Sequence, residues 1–315
     1  NDLYTLQMGS LLFSVPIEYD RIVSEYTKKG VERKFPYCDY QFVPKSPWNY
    51  GYADADFEIS YNEIGDIPFS QTNPPLTIKA NFLGAHGIPM EYRGRQEEYV
   101  DLVINEMMPL VATENLADFV DVFCDKGFFT VEDTERVLMA GIKYGMRPKI
   151  HANEMAVSGG VQVGVKYGAI SVDHLEQMGM EEIEALKGSE TMPTVLPGCA
   201  FFLNLPLSPV RDMINAGLPV AMASDFNPGT SPSGNMQFIM SAACIRYKMT
   251  PEEAFNATTL NTAYAMDVSH ELGSITKGKL ANVIITQPMN GLEFMPYYYG
   301  ANKVEKVVLQ GKIVK

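Results

Sequence analysis

Beyond residue 80 the sequence keeps one rhythm: a short apolar run, a loop carrying polar or titratable residues, then an amphipathic helical stretch. Strands joined by helical crossovers lie parallel, so this rhythm commits the chain to a β/α sheet with helices packed on it. The runs at 80–85, 119–124, 147–150, 169–172, 192–196 and 220–224 make six strand candidates. Between the first two, Val100, Val103, Met107, Leu110 and Val111 are spaced to share one helix face. Thr130 with Asp133, and Thr250 with Pro251 and Glu253, read as helix starts, each a hydroxyl cap with an acid three residues on; Ser208-Pro209 reads as another. The chain returns to strands at 281–285 and 304–309, and Gln310-Gly311-Lys312 turns it into Ile313-Val314. Gly273-Ser-Ile-Thr-Lys-Gly278-Lys279 imitates a phosphate loop, but Leu280 stands where a hydroxyl must reach magnesium, so we read a strand and turn.

The first eighty residues have a different texture. They hold the single Trp, Trp48, and no His, and Pro36, Pro44, Pro47, Pro68, Pro74 and Pro75 disfavour long helices. Segments 11–15 and 57–61 read as strands, and the region as all-β. Three units follow: a sandwich-like all-β segment at 1–80, a partial β/α barrel at 81–272 and a β-strand segment at 273–315. With 25 basic and 38 acidic residues the formal charge is −13, which disfavours nucleic acid and anionic membranes as partners and leaves a small molecule. No apolar run approaches the ~18–20 residues that span a bilayer, and no signal-peptide pattern opens the sequence, so a cytoplasmic location is expected. The first residue is Asn1 rather than Met, which leaves room for residues upstream. Cys38, Cys124, Cys199 and Cys244 are dispersed without Cys-x-x-Cys spacing and are expected as buried thiols.

Three of the four histidines close a strand candidate: His86, His151 and His174. Asp225 follows the last strand. At the carboxyl ends of parallel strands such residues project into one shared cavity. Neutral imidazole and carboxylate suit zinc or ferrous iron, which bring the pKa of a bound water to ~7. Glu154, three residues after His151, is placed to orient such a water or accept its proton. Asn227, Gly229 and Thr230 offer donors to an anionic substrate, or equally a tight turn. His270 has no strand before it and is expected on the surface.

Phe82-Leu-Gly-Ala-His86, Lys149-Ile-His-Ala-Asn-Glu154, Asp173-His-Leu-Glu176, Leu196-Pro-Gly198 and Ser224-Asp-Phe-Asn-Pro-Gly229 stand in an order that resembles the imidazolonepropionase family of the amidohydrolase superfamily, over about residues 81–315. The resemblance implies an α/β fold of the amidohydrolase (β/α)8-barrel type, incomplete here at about six strands, with the N-terminal all-β segment and C-terminal β-strands beside it. It implies hydrolysis of the cyclic amide of 4-imidazolone-5-propanoate to N-formimino-L-glutamate, with one zinc or iron ion. By position, His151 and Asp225 would ligate the ion, Glu154 and His174 would handle the water and its protons, and His86, Asn227, Gly229 and Thr230 would contact substrate. Family analogy also implies a homodimer.

The family's His-x-His pair, which adds two ligands on the first barrel strand, has no counterpart, because no His precedes His86. A weakened ion site and impaired activity are therefore expected. Residues 8–80 resemble instead a β-sandwich segment of β-L-arabinofuranosidase-type glycoside hydrolases, through Gly9-Ser-Leu-Leu-Phe-Ser-Val-Pro-Ile17 and Ser46-Pro-Trp-Asn-Tyr50. Two alternatives follow: a carbohydrate-associated β-module with Trp48, Tyr50 and Tyr52 as its platform, or a non-functional chimera of two genes.

Overall fold

A computed structural model describes residues 3–6, 13–16, 77–227 and 229–314. Strands β1 (Leu3–Leu6) and β2 (Phe13–Pro16) pair antiparallel, β2 falling where the 11–15 strand was expected. The strand expected at 57–61, the Trp48 platform and Cys38 lie outside the described residues.

Six strands form one parallel sheet in sequence order: β3 (Asn81–Ala85), β4 (Phe119–Cys124), β5 (Arg147–Ala152), β6 (Ser171–His174), β7 (Met192–Val195) and β8 (Ala221–Met222). Every strand candidate of the barrel region is present, and a sheet wound in sequence order with helical crossovers is an incomplete β/α barrel. The sixth is shorter than expected: Ala223 still donates to the Val195 carbonyl, after which Ser231 Oγ binds the Ser224 carbonyl and the chain turns away. A separate antiparallel sheet joins β9 (Val283–Thr286), β10 (Val304–Leu309) and β11 (Lys312–Ile313).

Side chains alternate across a strand, and here the alternation divides apolar from polar. Val120, Val122, Ile150, Val172, Val195 and Met222 pack outward into the main core with Val137, Leu138, Val161 and Ile183 of the surrounding helices. The residues between them, Asp121, Lys149, His151, Ser171, Asp173 and Thr194, are buried on the opposite face. The inner face is thus a polar layer shielded from water.

The capping signals hold at two of three positions. Thr130 and Thr250 each accept from the backbone N–H three residues on, while Asp133 and Glu253 reach back to close the box. Ser208 does not cap its helix; its hydroxyl donates 3.0 Å to the His174 carbonyl. The expected face of the first helix also needs correction. A π-helical turn at Val103–Met107 interrupts it, and the wider turn advances the register by one residue. Met108 is buried in place of Met107, and Leu110 is 64% exposed while Val111 is buried. His270 lies on the surface as expected.

Helix and sheet approach closely at Gly141, where an added Cβ would lie 2.4 Å from Val120 Cγ1 and 2.7 Å from Val120 Cβ. A branched Cβ fixed to the strand cannot swing aside. Overpacking of this kind costs about 1–3 kcal/mol, against about 1 kcal/mol gained from replacing glycine in a helix. Gly141→Ala should therefore lower unfolding free energy by up to about 2 kcal/mol in urea titration; a more stable variant would show that the helix can lift off the sheet.

Candidate active site

Because all six strands run the same way, their carboxyl ends share one rim, and the predicted residues gather there. His151 sits near the end of β5 with its ring 5.3 Å from His174 and 5.7 Å from His86, centroid to centroid. His86 follows β3 and stacks on Phe123 of β4 at 5.4 Å. Glu154 Oε2 lies 3.7 Å from His174 Nε2. Asp225, just past β8, is buried and close enough that His151 and Glu154 both act on its charge.

Backbone strain aims several of these groups. Alternation would send His174 outward with Val172, since Asp173 takes the inner face. Its φ of 82° and that of Leu175, 72°, turn the chain so that the imidazole enters the site instead. Positive φ in non-glycine residues costs about 1–3 kcal/mol each and persists where the surroundings fix it. Asn153 (55°), after β5, and Asp225 (50°), after β8, adopt the same region. Asp125, one residue past β4, holds the loop after β5: its Oδ2 accepts from the N–H groups of Glu154 at 2.8 Å and Met155 at 2.9 Å.

Beneath the rim lies the polar inner layer. Asp121 Oδ1 is 3.1 Å from His151 Nδ1, and its Oδ2 accepts from Asn81 Nδ2 at 2.8 Å. Lys149 Nζ donates to Ser171 Oγ at 2.5 Å and to the Ala265 carbonyl at 3.1 Å, and stands 3.8 Å from Asp173 Oδ2. Ser171 Oγ donates onward to Asp173 Oδ1 at 2.7 Å. The motif reading did not single out Asp121, Asp125, Lys149 or Asp173. The signal for Lys149 and Asp173 was present, a polar residue at every second position of the strand, while Asp121 stands as a lone acid within an apolar one.

The site's electrostatics sort into charged and neutral groups. Burial opposes charge on His151, but the Asp121 carboxylate outweighs it and pushes the ring up to about 9. Burial opposes charge on Asp121 too, yet His151 holds its carboxyl below the usual range. Desolvation, then the neighbouring His151, keeps both His86 and His174 below their ordinary value and hence neutral at pH 7. Burial raises Glu154, and raises Asp225 to about 7 against the pull of His151.

Replacing Asp121 with asparagine should drop His151 from about 9 towards or below the ordinary histidine value of 6.5, read by NMR titration of the metal-free protein. An unmoved ring would mean that another anion holds its proton. Since His151 is raised in the folded state, the stability it contributes is complete below 6.5 and is lost as pH climbs through about 9.

Asn227, Gly229 and Thr230 come together in a turn. Asn227 Oδ1 accepts from the N–H of Gly229 at 2.9 Å and of Thr230 at 2.7 Å, and its amide donates to the Asp225 carbonyl at 2.8 Å and to Thr230 Oγ1 at 2.9 Å. The Asn227 side chain thereby secures Asp225. A cleft lined by Arg147, Gly168, Lys187 and Glu190 lies at the amino ends of β5 to β7, remote from these groups.

For a divalent ion, His151 offers the nitrogen that Asp121 leaves free, an imidazole backed by a carboxylate as ligating histidines usually are. Asp225 offers oxygen. The donor types suit zinc or ferrous iron, and among the described residues this pair is one short of the three protein ligands usual for catalytic zinc.

Parallel β/α architecture with imidazoles and carboxylates on the carboxyl rim defines an amidohydrolase-type fold, and the sequence model of the amidohydrolase family matches residues 203–314. An adenosine deaminase from Xanthomonas campestris with bound zinc shares the fold at TM-score 0.56 and 19% identity, covering 75% of this chain and 60% of that one. An atrazine chlorohydrolase mutant from Arthrobacter aurescens TC1, complexed with zinc and atraton, does so at 0.55 and 15%, covering 68% and 55%. Among curated proteins, the imidazolonepropionase of Flavobacterium johnsoniae is 55% identical over 242 residues, 77% of this chain and 59% of that protein. That of Alkaliphilus oremlandii is 39% identical over 289 residues, 91% of this chain and 67% of its own. The chain belongs to the imidazolonepropionase family of amidohydrolases. It spans about three-fifths of the length of the Flavobacterium relative, 59%.

Proposed function

We propose that this chain hydrolyses the cyclic amide of 4-imidazolone-5-propanoate to N-formimino-L-glutamate, a step of histidine breakdown, with zinc or iron held by His151 and Asp225. The observation that carries the reading is the buried Glu154–His174 pair, 3.7 Å apart beside His151, in a chain 55% identical to an imidazolonepropionase. When bound, the ion supplies a Lewis acid and a water of lowered pKa. Glu154, raised by burial, takes a proton from the water as its oxygen bonds to the ring carbonyl carbon, and returns that proton to the ring nitrogen as the C–N bond breaks. His174, kept neutral, orients that water. His86 is neutral as well and meets the substrate by hydrogen bonding rather than by charge. The donors of Asn227, Gly229 and Thr230 are engaged within their own turn and on the Asp225 carbonyl, so in this reading the turn serves by fixing Asp225 beside the substrate.

With two ligands of the resemblance set in place of four, ion affinity and turnover fall below those of a full site. The reading also places the protein in the cytoplasm as a homodimer. A match covering 91% of the chain extends into residues 1–80, because 81–315 amounts to 235 residues and the match to 289; this favours one family throughout over a passive sugar module. The test is hydrolysis of imidazolonepropionate by the full chain, with and without added zinc or iron, alongside metal content. Ion-dependent turnover supports the proposal. Stoichiometric ion with no turnover overturns the activity, and near-family turnover overturns the impairment.

A further inference from the structure

Among the described residues, one set of three metal-type donors has its atoms mutually within 4.8 Å, and it is not the pair that the resemblance names: it is Glu154, His174 and Cys199, all buried. The Cys199 thiol donates to Glu154 Oε1 at 3.7 Å, and His174 Nε2 stands 3.7 Å from Glu154 Oε2. A nitrogen–oxygen separation of 3.7 Å is too long for a charge-assisted hydrogen bond, which runs at about 2.7–2.9 Å. It matches the edge of a tetrahedron around zinc, about 3.3–3.8 Å for bond lengths of roughly 2.0–2.3 Å. A second observation points to a cation. Glu176, buried in the same pocket, has both carboxylate oxygens without a hydrogen-bond partner, and its Oε2 lies 3.8 Å from His174 Nδ1, itself without one. Buried polar atoms left unsatisfied in this way take a bound water or an ion as partner.

We infer that Glu154, His174 and Cys199 form a site for a soft divalent cation such as zinc, and that an ion there inhibits the enzyme by occupying the two groups that handle the proton. Binding displaces the Cys199 thiol proton to solvent, so sulfur enters as thiolate, Glu154 as carboxylate and His174 as neutral imidazole. Thiolate selects zinc over magnesium or calcium. The ion site stands on geometry alone; only its inhibitory consequence rests on the hydrolase reading.

The experiment uses the full chain stripped of metal and titrated with cobalt(II), which reports its ligands by absorption. The site requires a near-ultraviolet thiolate-to-cobalt charge-transfer band in the parent protein and its loss in Cys199→Ser, with unchanged circular dichroism showing that the variant folds. Bound cobalt without that band, no bound cobalt, or a band that survives Cys199→Ser each overturns the site. In a second arm, hydrolysis at every added zinc concentration should be slower in the parent protein than in Cys199→Ser. Equal inhibition of both overturns the regulatory role, and a protein with no hydrolysis but an intact band separates failure of the hydrolase reading from failure of the site.

Discussion

Lys149→Met should destabilise the folded chain by about 3–5 kcal/mol, the largest loss expected from any single change outside the rim. Lys149 is wholly buried, with its ammonium 3.8 Å from the Asp173 carboxyl and near Asp121, which His151 also faces. Burial lowers the lysine and raises Asp173, so both resist charging, yet each lessens the other's penalty and their hydrogen bonds run through Ser171. Methionine keeps the bulk of the stem but removes the donor to Ser171 and Ala265 and takes from Asp173 the ammonium 3.8 Å away. Urea midpoints would show the loss, and the double variant Lys149→Met with Asp173→Leu should recover most of it, since removing both partners of a buried pair is often close to neutral. A single-variant effect under about 1 kcal/mol would mean that the polar layer is not paired as described.

Glu154→Gln should lower kcat by about 10²–10⁴-fold, the range typical of a lost general base. The amide keeps the shape of the side chain and an oxygen facing Cys199, and the backbone N–H at 154 still has Asp125 to bind, so the fold and the loop after β5 are expected to survive. What disappears is the ability to accept a proton beside His174. A KM that moves little while kcat collapses would mark a role in the chemical step. Retention of activity within about tenfold would transfer the base role to another group, with Asp225, raised to about 7, the next to test.

How much of this was legible beforehand depends on the distance over which a signal acts. The six strands, the two threonine-capped helices and the surface position of His270 could be read directly, because apolar periodicity and capping are written within a few neighbouring residues. The same local view misplaced Leu110 and Ser208. A π-turn shifts a helix register without any residue that announces it, and Ser208 finds a partner, the His174 carbonyl, 34 positions away in the chain.

The sequence by itself determined a parallel β/α sheet and supplied the imidazoles and carboxylates that end its strands. Tertiary structure alone decided which of them meet. Asp121 reaches His151 across 30 residues and Cys199 reaches Glu154 across 45, pairings that exist because the parallel sheet brings distant segments to one rim. Left-handed backbone at His174 then reverses the face that simple alternation assigns to it. Alternation is a property of the residue and its neighbours, whereas convergence belongs to the closed path of the chain, and no local pattern encodes it.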